Sequence, residues 1–409
     1  MKVKIKDIGK VVTGKTPSTS NSANFGEGYL FITPVDLHVD SGVIEHSQRN
    51  ITKEGFKSIK SNTISGLSIL VGCIGWDMGN VALVNQKCAT NQQINAITDI
   101  NNNICNPYYI YYWLKIQKDY LFKIANVTRT PILKKSDFEN IEINLPNKKI
   151  QDSVAKFCRN IDLKINTNNA ISKELESMAK TIYDYWFLQF EFPDKDGKPY
   201  KSNGGKMVWN DQLKQEIPEG WQVDNLYKIA DFINGIACQK YRPLDNKHKL
   251  PVIKITEMHD GFTSKTEFVR DSISEDHIIK NGDILFSWSA SLETMIWNYG
   301  KGGLNQHIFK VIPKNGFSLH YVYQTLSSYI INFKRMAEAR KTTMGHITQD
   351  HLKQSEIMIP PQNLINKFEN VVRSFYDEIT MVDEESQELK SLRDFLLPLL
   401  MNGQVTIED

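Results

Sequence analysis

The sequence predicts an α+β fold: two similar mixed α/β domains separated by two long antiparallel coiled-coil helices, related as a pseudo-two-fold internal repeat. The first observation behind this is the repeat itself. Residues from Ile69-Leu70 to Tyr185 return as equal or similar types close to 214 positions later, ending at Leu399. The second is that each copy begins with short β-type runs broken by Gly, Asn and Pro, the pattern of strands and turns. The third is that each copy ends in a long stretch of apolar residues at steps of three and four, the period of a packed helix. Solenoid units recur every 20 to roughly 50 residues, so this repeat is a duplicated half-protein.

In the first copy, Tyr29-Leu30-Phe31-Ile32, Ser68-Ile69-Leu70-Val71, Val81-Ala82-Leu83-Val84 and Ile94-Asn95-Ala96-Ile97 are predicted strands, and Tyr108 to Ile124 a helix. In the second copy the strands are Leu250 to Ile255, Asp283 to Ser287 and Ile308 to Ile312, with a helix over His320 to Ala339. Upstream the offset drifts to 221, pairing Gly14 with Gly235 and Ile32 with Ile253, as expected if loops differ in length. The resulting division is 1–146, a first mixed domain; 147–190, a central helix; 191–220, a turn-rich junction; 221–360, a second mixed domain; and 361–409, a C-terminal helix.

The helices carry a narrow apolar seam. Ile150, Val154, Phe157, Ile161, Ile165, Ile171, Leu175, Met178, Ile182 and Tyr185 form the first, and Leu364, Phe368, Val371, Phe375 and Ile379 repeat its start. Lys164 and Asn168 interrupt the first seam and Glu385 the second; polar seam residues fix register at a cost in stability. Pro146 precedes one helix and Pro360-Pro361 the other, where proline is tolerated in a first turn. An isolated helix cannot bury such a stripe, so the two copies are expected to pair antiparallel. Two separate helical hairpins or a swapped dimer would use the same seams.

The formal net charge is +2, but its distribution is uneven: +4 over 1–146, +2 over 147–190, −1 over 191–220, +3 over 221–360 and −6 over 361–409. The two mixed domains can therefore meet a polyanion, and the two helices carry opposite charge. Cys73, Cys88, Cys105, Cys158 and Cys238 are scattered and form no C-x-x-C pair, so they read as reduced, packed thiols and not as zinc ligands. No run of about 18 apolar residues occurs and Met1-Lys2-Val3-Lys4 lacks an apolar signal core, so no membrane partner and a cytoplasmic location are expected.

Catalytic motifs are sparse. Asn106-Pro107-Tyr108-Tyr109 is similar to the Asn-Pro-Pro-Tyr/Phe motif of amino-group methyltransferases, but its second Pro is Tyr and it opens an aromatic helix. Phe25-Gly26-Glu27-Gly28 has the wrong spacing for a cofactor loop, and Pro193-Asp194 with Asp196-Gly197-Lys198 reads as a solvated turn and not a nuclease site. A self-contained DNA methyltransferase or nuclease with atypical motifs stays as the alternative. What the chain does offer is polar, aromatic and basic loops at matching places in both copies. Lys15 and Thr16 lie in the loop after Gly14, and Lys240 and Arg242 follow Gly235; Trp76 lies near the counterpart of Trp288, and Thr128, Arg129 and Thr130 match Arg340, Lys341 and Thr342. Arg and Lys contact phosphates or guanine edges and Thr donates to phosphates, so these twelve are the candidate DNA-binding residues. No catalytic and no metal-binding residue is assigned.

Across essentially its full length the chain resembles the DNA-specificity subunit of type I restriction-modification systems. The resemblance is most specific at Trp186-Phe187-x-x-Phe190-Glu191-Phe192-Pro193 through Gly197-Lys198-Pro199-Tyr200 and Ser202-x-Gly204-Gly205, continuing into Ile217-Pro218-Glu219-Gly220-Trp221. Gly14-x-Thr16-Pro17-Ser18 with Ile32-Thr33-Pro34-x-Asp36-Leu37 resembles the family's entry into its first target-recognition domain, and Ser136-Asp137-Phe138 with Ile141-x-Ile143-x-Leu145-Pro146 its exit. The resemblance implies a non-catalytic subunit that reads a split double-stranded DNA target, one recognition domain per half-site. The paired helices would set the unread gap and dock two modification subunits. Those subunits would bind S-adenosylmethionine, this chain needing no cofactor, and a restriction/translocase subunit would complete the nuclease. A helix from Ile150 to Trp186 would be roughly 55 Å long, which covers about 16 base pairs of duplex. Since such domains vary where they touch bases, the candidate residues rest on loop chemistry.

Overall fold

The computed structural model describes residues 1–39, 42–75, 78–125, 130–289, 291–339 and 347–407. The chain forms two compact units, 1–167 with 388–409, and 168–387. Mixed helix and strand content in both bears out the α+β class.

In the first unit the strands are β1 (Lys2–Lys4), β2 (Lys10–Thr13), β3 (Phe25–Ile32), β4 (Arg49–Ile51), β5 (Thr63–Ile64), β6 (Ser68–Gly72), β7 (Val81–Val84), β8 (Cys88–Thr90), β9 (Ile94–Thr98) and β10 (Glu142–Asn144). One four-stranded sheet runs β2-β9-β6-β7 and a second β4-β3-β8-β5, while β1 and β10 form a ribbon. Every residue of β6, β7 and β9 is buried. Alternate side chains explain why: Leu70, Ala82, Val84, Ile94 and Ala96 pack on Ile32, Ile64 and Cys88 of the second sheet. Ile69, Val71, Val81, Leu83 and Ile97 pack the other way, onto Tyr109, Tyr112, Phe138, Val154 and Cys158. A sheet covered on both faces needs continuous apolar runs, which is how these strands read. The expected helix over Tyr108 to Ile124 is two, Pro107–Lys115 and Lys118–Ile124.

In the second unit β11 (Met207–Asn210) and β12 (Gln215–Pro218) form a hairpin, so the turn-rich junction contains ordered strands. They are followed by β13 (Gln222–Asp224), β14 (Ala230–Asn234), β15 (Lys249–Ile253), β16 (Phe268–Arg270), β17 (Ile278–Ile279), β18 (Ile284–Ser287), β19 (Glu293–Ile296), β20 (Gly302–Leu304), β21 (Ile308–Pro313) and β22 (Ile357–Ile359). The sheet orders β14-β21-β18-β19 and β16-β15-β20-β17, with β13 against β22, reproduce the first unit strand for strand. Each second sheet holds one parallel pair, with Ile32 opposite Thr90 in one copy and Ile253 opposite Leu304 in the other. The change in repeat offset from 221 to 214 therefore lies in the connection between two strands and leaves their register untouched.

The long helices are Lys148–Tyr183 and Gln362–Met401. Asn147 starts the first by accepting from the Ile150 amide at 3.0 Å. Gly403, at φ 68°, ends the second, with the Gln404 amide donating to the Leu399 carbonyl at 2.9 Å, a helix stop that glycine favours. Within the first unit Val154, Ala155 and Cys158 pack with Leu397, Leu400 and Met401, and Asp162 meets Arg393. Within the second, Asn168 meets Glu385 and Tyr183 meets Phe368. The pairing is antiparallel in each. The buried stripe differs from the expected seam: Ile365, Val372 and Tyr376 are buried beside Leu364, Phe368 and Ile379, whereas Val371 is 40 % exposed. The C-terminal helix packs on Tyr321, Tyr323 and Leu326 as well as on the other helix, which rotates the buried face away from a two-helix seam. Ile150, Met178 and Tyr185 are likewise exposed.

Candidate nucleic-acid interface

Both copies build one loop cluster from the same main-chain hydrogen bonds. In the first, the Gly14 amide donates to the Ile94 carbonyl at 3.0 Å and the Lys15 amide to the Thr90 carbonyl at 2.9 Å. In the second, Gly235 donates to Ile308 at 3.0 Å and Ile236 to Leu304 at 2.9 Å. A Cβ on Gly14 would lie 2.0 Å from the Asn91 carbonyl oxygen, and one on Gly235 2.1 Å from that of Asn305. Glycine is needed here for close approach of two backbones. The partner turn is also shared: Asn91 accepts from the Gln93 amide at 3.1 Å, and Asn305 from the His307 amide at 3.3 Å.

Around this common frame the side chains differ. In the first unit Lys15 is exposed, and the Thr16 hydroxyl donates to Gln92 Oε1 at 2.9 Å. The Gln93 carbonyl accepts from the Cys73 amide at 2.8 Å, and Gly75 donates to the Pro131 carbonyl at 3.0 Å. Thr130, which precedes Pro131, is exposed. Burial pushes the Cys73 thiol up to about 12 against the opposing hydrogen bonds of Asn95, so this neighbouring sulfur is inert. Trp76, Thr128 and Arg129 lie outside the described residues.

In the second unit Trp288 takes the central place. Its Nε1 donates to Asn234 Oδ1 at 3.2 Å, its ring lies 5.7 Å from His307 and 6.0 Å from Phe309, and its carbonyl accepts from the Ile347 amide at 3.1 Å. Lys240 and Arg242 are exposed, but Arg242 lines a different concavity of about 600 Å³ with Leu244, Asp245, Lys249 and Phe268. The Lys249 ammonium sits 4.2 Å from the Phe268 ring centroid, and Leu244 is 88 % exposed. Asp245 is drawn down to about 2, chiefly by hydrogen bonds from the His248 side chain and backbone, so this rim mixes both charges. Arg340, Lys341 and Thr342 lie outside the described residues.

Asn234 and Gln92 belong to the matching polar loops of the two copies but not to the twelve candidates, and Phe268 to neither. Asn234 and Gln92 flank the conspicuous repeat positions; Phe268 has no such signal, since only its exposure on β16 marks it. The motifs weighed for catalysis have structural roles. Asn106 caps a helix, accepting from the Tyr108 and Tyr109 amides at 2.9 and 3.3 Å and donating to Asp152 at 2.7 Å. Asp194 closes a turn by accepting from the Asp196 and Lys198 amides. Among the described residues no group of His, Cys, Asp and Glu is placed to hold a metal, and no helix is long and apolar enough to cross a membrane.

Comparison with known proteins points the same way. The model of the type I restriction modification DNA specificity domain matches residues 1–177 and again 218–389. The chain is 26 % identical to the type I restriction enzyme MjaIX specificity subunit of Methanocaldococcus jannaschii, over 99 % of this chain and 93 % of the relative. It is 22 % identical to the HindI specificity subunit of Haemophilus influenzae, over 76 % and 80 % of the two chains. In fold it is similar to the crystal structure of a type I restriction-modification S subunit from M. genitalium, with a TM-score of 0.58, 15 % identity and coverage of 98 % and 95 %.

Proposed function

Given that the chain belongs to the type I restriction modification DNA specificity family, we propose that it is the DNA-reading subunit of a type I complex and recognises a bipartite double-stranded target, one half-site per loop cluster. The observation that carries this reading is the cluster built twice by the same pair of main-chain hydrogen bonds and furnished with different side chains. Lys15, Thr16 and Thr130 serve one half-site. Trp288 with Asn234 serves the other, and exposed Lys240 and Arg242, on a separate surface of that unit, are assigned to phosphates. Trp76, Thr128, Arg129, Arg340, Lys341 and Thr342 lie outside the described residues and stay candidates on their loop chemistry alone. Divergent side chains on a common frame imply two different half-site sequences.

The long helices set the unread gap and dock two modification subunits, which supply S-adenosylmethionine and the methyl transfer; a restriction/translocase subunit joins that core. The chain positions DNA without doing chemistry on it. Mapping methylated adenines in cells carrying the complete modification complex tests this. Removing one heptad from both helices should shorten the gap and leave both half-sites unchanged. Altered half-sites at an unaltered gap, or methyl transfer by the purified chain alone, would overturn the proposal.

A further inference from the structure

In each unit one aspartate ties the mixed domain to both long helices. In the first unit Asp162, on the central helix, accepts from Arg393 of the C-terminal helix at 2.7 Å and from the Tyr112 hydroxyl at 2.6 Å. Tyr112 belongs to the domain helix Pro107–Lys115 and is buried, as is Asp162. In the second unit Asp383, on the C-terminal helix, accepts from Ser172 of the central helix at 2.8 Å and from Asn298 Nδ2 at 3.1 Å. Asn298 lies in the buried turn after β19, and its carbonyl accepts from Gln387 Nε2 at 2.6 Å. Asn281, from the same domain, donates to Glu384 at 2.7 Å.

These two nodes are not repeat equivalents, because the position 214 after Asp162 is Tyr376. The duplicated frame was thus fastened to its helices by two different solutions of one design: a carboxylate with one donor from the domain and one from the opposite helix. Hydrogen bonds to an ionised group are directional and stronger than neutral ones, and burial excludes water as a substitute partner for Asp162. The hydrophobic term is itself non-directional; a two-donor carboxylate adds a directional constraint to that packing.

We propose that Asp162 and Asp383 are positioning residues that fix the orientation of each recognition domain on the helix pair and thereby restrict the target to one gap length. This rests on the bipartite reading proposed above. The test leaves both helix-to-helix links intact and removes only the domain-side donors, in Tyr112→Phe and Asn298→Ala, within the chain co-expressed with its modification subunits. Methylated adenines are then mapped on a library of targets differing only in gap length.

The expected result is that each variant keeps both half-sites, while its preference for the native gap over gaps one base pair longer or shorter falls by about tenfold, the loss of one hydrogen bond to a charged group. Variants that keep the parental preference would overturn the proposal, as would variants that change a half-site base. If the parental complex itself shows no bipartite methylation, the reading of the function fails instead. Poor folding is detected by thermal melting, and the isosteric Asp162→Asn and Asp383→Asn, which weaken the carboxylate links without changing side-chain volume, then supply the same measurement for the two domains.

Discussion

Asn168 and Glu385, one polar interruption from each apolar seam, are hydrogen-bond partners: Asn168 Nδ2 donates to Glu385 Oε2 at 2.7 Å and also reaches the Val382 carbonyl at 3.3 Å. Asn168 is fully buried. Two irregularities that look independent in the sequence are one contact in the fold. Replacing Asn168 by Ala should cost about 1–2 kcal/mol, the net value of a buried hydrogen bond. The double variant Asn168→Leu/Glu385→Leu should regain that loss, since well-packed apolar residues often match a buried polar pair. Denaturant titration of both variants checks this, and a double variant as weak as the single one would contradict it.

Arg393 makes a larger contribution than an ordinary helix cation. Its side chain is 12 % exposed and that of Asp162 6 %, so removing the guanidinium strands a carboxylate away from water. Arg393→Ala should lower stability by about 3–5 kcal/mol. Urea unfolding should show most of that restored in Tyr112→Phe/Asp162→Leu/Arg393→Met, where no charge is left behind.

Acid should weaken the second unit through Glu369. Burial pushes its carboxyl up, but the hydrogen bond and charge of His320 at 3.0 Å, with Arg373 at 3.4 Å, outweigh it and hold the carboxyl below the ordinary glutamate range. A carboxyl lowered on folding contributes its full stability above the unfolded value and loses it as pH falls through the folded one. Melting temperature should therefore drop below about pH 4, and more steeply in the parent than in Glu369→Gln. Parallel profiles would refute the assignment.

Gly14→Ala should distort one loop cluster and Gly235→Ala the other, because each new methyl meets a main-chain carbonyl that cannot turn aside. Overpacking of this kind costs about 1–3 kcal/mol. The informative readout is asymmetry: methylation mapping should show relaxed selection at one half-site for the first variant and at the other half-site for the second. Equal damage to both by either variant would count against separate readers.

Much of the fold was legible because buried strands and helices constrain residue type. Ser68–Gly72, Val81–Val84 and Ile94–Thr98 are buried on both faces and could hardly read as anything but strands. Short edge strands such as Arg49–Ile51 and Thr63–Ile64 were missed, since few of their side chains need be apolar. The helix period was right, but the stripe on the C-terminal helix passes through Val372 and Tyr376 in place of Val371, with Phe375 partly buried beside them. Repeat alignment cannot see that shift, which comes from the domain packed alongside. The loop candidates were the least legible: Thr16 bonds Gln92 beside the shared turn, yet Arg242 and Trp288 turn to different surfaces, a distinction set by main-chain hydrogen bonds that carry no sequence signature.

Those same bonds have an evolutionary consequence. Gly14 to Ile94, Lys15 to Thr90, Gly235 to Ile308 and Ile236 to Leu304 join amide to carbonyl and ask nothing of any side chain except the absence of one at each glycine. A frame held this way is indifferent to what its loops display. Mutation and recombination can rewrite the displayed residues, one half at a time, without the chain having to learn again how to fold.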